Sequence, residues 1–315
     1  IDIPPHMDGR PFLGAGVSME EVNRRNDVFS YADRFDEKID HVRALRTGNL
    51  KYIRNYQPFN VDALFNEYRY RMLAYAEWWD LYRAGSLDAT QKQFFEPRPA
   101  EQLFDLSDDP FETRNLAKDP AYAGVLSEMR QKLNGRVKSI NDLSMFPESM
   151  LFTEAFDDPV SFGRQNSARI ASLVDIADLS LRSFDDVAAD IAIALESEDP
   201  WMRYWGLIVV SSFREEAHTF IETARRMATE DGENLVRLRA AEFLGLVQAE
   251  NPAPYLIEAL RTADNEMEAV LILNTIVLLK DFHGHQIEVS SDIFPLQWQS
   301  NGQSNLTLRL YHLSN

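Results

Sequence analysis

The chain has 315 residues, 45% of them hydrophobic and 26% charged, with 50 Asp and Glu against 32 Lys and Arg for a formal charge of -18. That is ordinary globular composition in a chain long enough for two domains, and disorder is not expected overall. The longest apolar run, AVLILNTIVLL at 269–279, is about half of a membrane-spanning helix and is interrupted by Asn274.

Without cysteine there is no disulfide framework, no thiolate metal site and no thiol nucleophile, which leaves the compartment open. Charge is uneven: residues 1–142 carry a net -3 and residues 143–315 a net -15. The second half therefore repels polyanions, and nucleic acid is not an expected partner. No secretory signal opens the chain, and the start IDIPPHMDGRPFLG reads as cut from the middle of something larger.

The first part reads as mixed α and β. VFSYADR (28–34), HVRALRT (41–47) and LKYIRNY (50–56) have strand composition, and Gly48–Asn49 is a hairpin signal between the last two. Alternation puts Leu50, Tyr52 and Tyr56 on one face and Ile53 on the other. The spacing of Leu64, Tyr68, Met72, Tyr75, Trp79 and Tyr82 predicts one helix capped by Asp62 and ending at Gly85, with the aromatic stripe as a packed face. EQLFDL (101–106) reads as another strand, and PAYAGVLSEMRQKL (120–133) as a helix.

From about Asp142 only helices are expected. ALESEDPWMRYWGLIVV (194–210), MATEDGENLVRLRAAEFLGLV (227–247) and ALRTADNEMEAVLILNTIVLL (259–279) form a weak repeat. Arg203 against Arg237 gives a period of 34, the spacing of paired helices stacked in a solenoid. DPWMRYWGL is similar to the turn and second helix of a HEAT repeat, with Trp201 and Trp205 expected to plug the repeat interface. After Leu279 the helical period stops, and LTLRLYHL (306–313) alternates; residues 286–315 are expected to be an irregular tail. HGH at 283–285 lacks a nearby third ligand and reads as a solvated loop.

Two motifs narrow the class. EQLFDLSDDPFETRNLAKDP (101–120) is similar to the E-L-Y-D-L-x-x-D-P-x-E-x-x-N-L-A segment after the last strands of sulfatases, and MDGRPFL (7–13) is similar to the connector after their catalytic elements. Residues 33–58 are like the hairpin of relatives of heparan N-sulfatases, and INDLSMFPESML (140–151) resembles the continuation in bacterial members with helical repeats. The resemblance implies an α+β chain: a C-terminal antiparallel-sheet subdomain of a sulfatase-like, alkaline-phosphatase-like fold over 1–142, HEAT-like repeats over 143–285, and the tail.

The same resemblance implies hydrolysis of sulfate esters or sulfamates on carbohydrate, in a periplasmic or secreted protein. In the family a formylglycine, made in a C/S-x-P-S-R motif, attacks sulfur while calcium neutralises the sulfate oxygens. The chain contains no such motif, and the family's metal-binding and catalytic groups precede the connector. No catalytic residue and no metal ligand is therefore assigned, and the chain by itself is expected to be inactive.

What it could contribute is recognition. Residues 41–58 hold four cations, Arg43, Arg46, Lys51 and Arg54, and no carboxylate. Guanidinium forks match sulfate and carboxylate oxygens, but strand alternation lets at most half face one pocket. Arg34, Asp36, Glu37, His41 and Arg43 are the candidate substrate-binding residues, placed by the resemblance at the cleft rim. The alternative is that cations and carboxylates of neighbouring strands pair with one another. A second functional class stays open as well: a non-catalytic helical-repeat module whose acidic surface binds a protein, with a relic sulfatase subdomain. A related phospho-transfer activity on the same fold is a third reading.

Overall fold

A computed structural model describes residues 7, 9–299, 301–302 and 304–314; the segment IDIPPH, Asp8 of the connector motif, and Ser300, Gln303 and Asn315 of the tail lie outside it. The chain is mixed α and β. After a short helix, α1 (Met19–Arg24), come strands β1 (Asp27–Phe35), β2 (Lys38–Thr47) and β3 (Leu50–Asn55), helices α2 (Glu67–Tyr70), α3 (Leu73–Arg83) and α4 (Ala89–Lys92), and strand β4 (Glu101–Asp105). The strands form one antiparallel sheet in the order β1-β2-β3-β4. Gly48 turns the β2–β3 hairpin with φ +60°, a conformation open to glycine.

The expected single helix over 62–84 is two. Asn66, not Asp62, caps α2 by accepting from Arg69 N–H, and Met72 is extended (φ -80°, ψ 122°) between α2 and α3. Gly85 does follow the helix end with φ +67°. Only part of the aromatic stripe packs: Trp79 and Tyr82 meet Phe95 over Leu87 and Ala63, whereas Tyr68 and Met72 are exposed.

One face of the sheet is core. Leu45, Tyr52 and Leu103 stand in register across β2, β3 and β4, and all are buried under α5 (Ala123–Ser139), which contributes Leu126, Met129, Leu133 and Val137. Edge strand β1 is open, with Val28 57% and Tyr31 78% exposed.

Beyond α5 the regular elements among the described residues are helices: α6 (Glu148–Glu154), α7 (Pro159–Gln165), α8 (Ser167–Ala177), α9 (Phe184–Leu195), α10 (Pro200–Phe213), α11 (Ile221–Glu230), α12 (Asn234–Leu246), α13 (Ala253–Arg261), α14 (Glu266–His283) and α15 (Asn305–Ser314). Helices α10, α12 and α14 pack in succession, backed by α9, α11 and α13. Arginines 34 residues apart tie successive units: Arg169 holds Asp199, the N-cap of α10, and Arg203 holds Asp231 just before α12. Helix α14 is buried without a break from Glu268 to Leu279, so the long apolar run is a central core helix. Gly284 ends it in the left-handed conformation, and His285 Nε2 lies 2.9 Å from the Gly245 carbonyl.

The tail departs from expectation. Residues 305–314 form helix α15 rather than an alternating strand or an irregular end, and Leu306, Arg309, Leu310 and Leu313 are buried on one side of it. Arg309 is wholly enclosed. It donates to the carbonyls of Phe65 (2.7 Å) and Glu37 (2.8 Å) and to Asn274 Oδ1 (2.9 Å), fastening the tail to the sheet and to α14. Asn274, the residue that breaks the apolar run, also pairs with the Ile39 backbone in both directions.

Candidate functional site

The register of the β1–β2 pair passes from Ala32↔Val42 to Arg34↔Ile39, so Asp40 and His41 together oppose the single residue Asp33. Such a bulge re-aims side chains, and here it brings three polar residues to the place where the sheet meets the helices. A cavity of about 260 Å³ lies there, lined from the sheet by Asp33, Arg34, Asp40, His41 and Gln57, and from the helical part by Ser144, Phe146, Glu148, Tyr204, Trp205 and Arg239. It is at the small end for ligand pockets, with room for one group the size of a sugar ring.

Its inner wall is aromatic. The His41 ring lies 4.5 Å from that of Tyr56 and edge-on to Trp205 at 5.5 Å, and Trp205 is fixed by donating Nε1–H to the Met145 carbonyl at 2.7 Å. Burial, helped by the Arg43 charge, pushes the His41 imidazole down to about 3, although Asp142 and Asp40 pull the other way. It is neutral at ordinary pH and a weak base there. Ser144 Oγ is 3.5 Å from His41 Nε2, but the hydroxyl already donates to Asp142 and accepts from Arg43. The pair is therefore not arranged as a base and nucleophile.

Arg43 stands behind this wall and is fully engaged. It meets Asp33 through Nη1 (2.6 Å) and Nη2 (3.2 Å), and Asp142 through Nε (2.6 Å) and Nη2 (3.0 Å). Burial opposes the Asp142 anion, but Arg43, His41 and Ser144 outweigh it and hold the carboxyl low, at about 2. The other cations of 41–58 also face the chain's own acceptors: Arg54 donates to Asp178 and Ser180, Lys51 to Glu112, and Arg46 to the Gly48 carbonyl.

Of the five candidate residues, the fold brings Arg34 and His41 to the cavity. Arg34 sits at its rim, Nη1 donating to Glu148 and Nε to the Asp36 carbonyl at 2.7 Å. Asp36 is exposed at the tip of the β1–β2 turn with φ +50°. Glu37 points away; its wholly buried carboxylate accepts from Glu67 N–H (2.6 Å) and Asn66 Nδ2 (3.2 Å), holding the start of α2.

The far wall was not foreseen from the sequence. Buried Arg239 lies over the Tyr204 ring, donates to Tyr204 Oη at 2.7 Å, and makes two bonds to Glu242, while its Nε has no partner. The Arg239 and Glu242 pair, three apart among the apolar residues of α12, is the signal in the sequence.

No set of three or more His, Asp or Glu side chains among the described residues is grouped to hold a metal ion. The chain also has no cysteine and no C/S-x-P-S-R serine. No chemical step is derived through the calcium or the formylglycine implied by the resemblance.

No family model matches the chain. Among curated proteins, the "Ulvan-active sulfatase" of Formosa agariphila is 38% identical over 153 residues, covering 48% of this chain and 25% of that protein. The chain thus spans about a quarter of the length of the curated relative it matches, and about half of the chain is similar to part of a sulfatase.

Proposed function

We infer that the chain is the trailing portion of a sulfatase-type hydrolase acting on sulfated carbohydrate, and that the catalytic nucleophile and calcium site belong to residues outside it. The observation that carries this is the 38% identity over 153 residues to a sulfatase. The sulfatase-like segment 101–120 supports it, since it contributes β4 and the turns after it. A sulfated polysaccharide such as ulvan is the substrate class this favours, and a periplasmic or secreted location accompanies it.

The part played by these residues is recognition. The cavity between sheet and helices combines an aromatic wall, on which a sugar ring can lie, with Gln57, Ser144 and Arg34 as polar contacts. Of the five candidates, Arg34 and His41 would contact the sugar, Arg43 would hold Asp33 and Ser144 in place, and Asp36 and Glu37 would fix the turn that presents Arg34. We read α9–α14 as HEAT-like units that wall the site, and the 34-residue arginine spacing supports that reading.

The test is sulfate release from ulvan and other sulfated glycans. Protein expressed from the complete reading frame is expected to release sulfate, and this 315-residue chain alone is not. In the complete protein Arg34→Met should raise KM several-fold and leave kcat nearly unchanged, as expected for uniform binding. Turnover by the chain alone, or no release by the complete protein, overturns the reading.

A further inference from the structure

On the other side of the sheet from Leu45, Tyr52 and Leu103 lies a separate cavity of about 290 Å³. Its polar lining includes Lys38 and Asp40 from β2, Asn55 from β3, Gln102 from β4, and Asp62, Arg69 and Arg98 from the segments that flank the sheet. Three cations thus meet two carboxylates in a chain of net charge -18. Arg34 also borders it, but is committed to Glu148.

The carboxylates are largely used by Arg98, which holds Asp40 at 2.8 Å and Asp62 at 3.0 Å. Lys38 reaches the same two groups only at 3.3 and 3.8 Å, ion-pair rather than good hydrogen-bond distances. It is nonetheless only 6% exposed. Arg98 Nε is buried without a partner. Gln102 Oε1 accepts from Asn55 Nδ2 at 3.0 Å, which leaves the Gln102 amino group toward the cavity. Arg69 is held among the rings of Phe35, Tyr75 and Phe94, at 5.1 to 5.5 Å. Arg69 also donates to the Asp62 carbonyl, so the groups left short of acceptors are the Lys38 ammonium and Arg98 Nε.

A buried ammonium with poor acceptors is costly, and a ligand oxyanion would supply what is missing. Burial pushes the Lys38 pKa down, against the pull of Asp40 and Asp62; an added anion would reverse that.

We propose that this cavity is an anion site for the sulfate or carboxylate group of an acidic ligand, held by Lys38, Arg98 and Gln102. Arg34 and Asp40 border both this and the aromatic cavity, but anion binding to the chain does not depend on turnover, so the two readings fail separately.

Calorimetric titration of the chain with inorganic sulfate, and in parallel with glucuronate, at low constant ionic strength tests it. Saturable binding is expected for at least one. Stronger binding of sulfate assigns a sulfate group, and stronger binding of glucuronate a carboxylate. Lys38→Met and Gln102→Glu should each weaken it about tenfold or more, the loss of one charge-assisted bond. Glu258→Gln, exposed on α13 and lining neither cavity, also alters the net charge and should bind as wild type. Gln102→Glu preserves size and guards against misfolding of the lysine variant, and circular dichroism confirms both folds. No saturable binding of either anion, or wild-type affinity in both folded variants, overturns the proposal.

Discussion

At the scale of single residues, the sheet–helix junction holds an imidazole that must stay neutral. His41 is enclosed by Tyr56, Trp205 and Ser144, and the charges around it, Arg43 and Arg54 against Asp142 and Asp40, largely offset one another, so burial decides. Its folded pKa, about 3, lies below the ordinary 6.5. The unfolded chain therefore binds the extra proton, and the contribution of this residue to stability is intact above pH 6.5 and is lost as pH falls toward 3. Asp33, Glu233 and Glu268 are pushed up by burial and act in the opposite sense, so the informative quantity is a difference between variants. On going from pH 7 to pH 4.5, His41→Phe should lose about 2–3 kcal/mol less stability than wild type. Urea denaturation at the two pH values measures this, and equal losses would remove His41 from the account.

At the scale of elements, what the sequence disclosed depended on whether packing agreed with pattern. The four strands, the Gly48–Asn49 hairpin and the helix stop at Gly85 follow from alternation and glycine chemistry, and all are present. The break at Met72 was hidden because the aromatic spacing runs on across it. Helix α15 was missed for a sharper reason. Leu306, Leu308 and Leu310 alternate, but the buried set is Leu306, Arg309, Leu310 and Leu313, a helical spacing with a cation in the middle of its apolar face. An arginine is not scored as core, yet this one meets three acceptors that no apolar residue could satisfy. Of the site, the β1–β2 residues were legible as a polar cluster; the bulge that separates Arg34 and His41 from Glu37 was not, because register arises only when strands pair. Lysine at 309 cannot span the carbonyls of Phe65 and Glu37 together with Asn274. Arg309→Lys should therefore cost about 2–3 kcal/mol and speed amide exchange across α15. Unchanged exchange there would mean that the leucines alone anchor the helix.

At the scale of the whole molecule, the question is whether sheet and helices unfold as one. Charge divides the chain near residue 142, but the apolar core crosses that point without interruption, from Leu45 and Tyr52 through Met145 to Trp205. Polar ties cross it too. Arg54, on the core face of β3, is 2% exposed; beside the nearby Asn55 and Ala100 carbonyls it takes three acceptors from beyond the boundary: Asp178 Oδ1 at 3.0 Å, the Ala177 carbonyl at 2.7 Å and Ser180 Oγ at 2.8 Å. Cutting the chain at 142 would remove these acceptors and strip the helices from an apolar core shared across the boundary, against a total stability of only about 5–15 kcal/mol for a domain. A 1–142 piece is accordingly expected to be unfolded or only loosely ordered. The 315-residue chain should lose tryptophan fluorescence and far-ultraviolet dichroism at the same urea concentration, because Trp78 and Trp79 belong to the sheet part and Trp201 and Trp205 to the helices. Two separated transitions, or a stable 1–142 piece, would instead make the junction an interface between independent domains, and the cavity lined from both sides would then depend on how they dock.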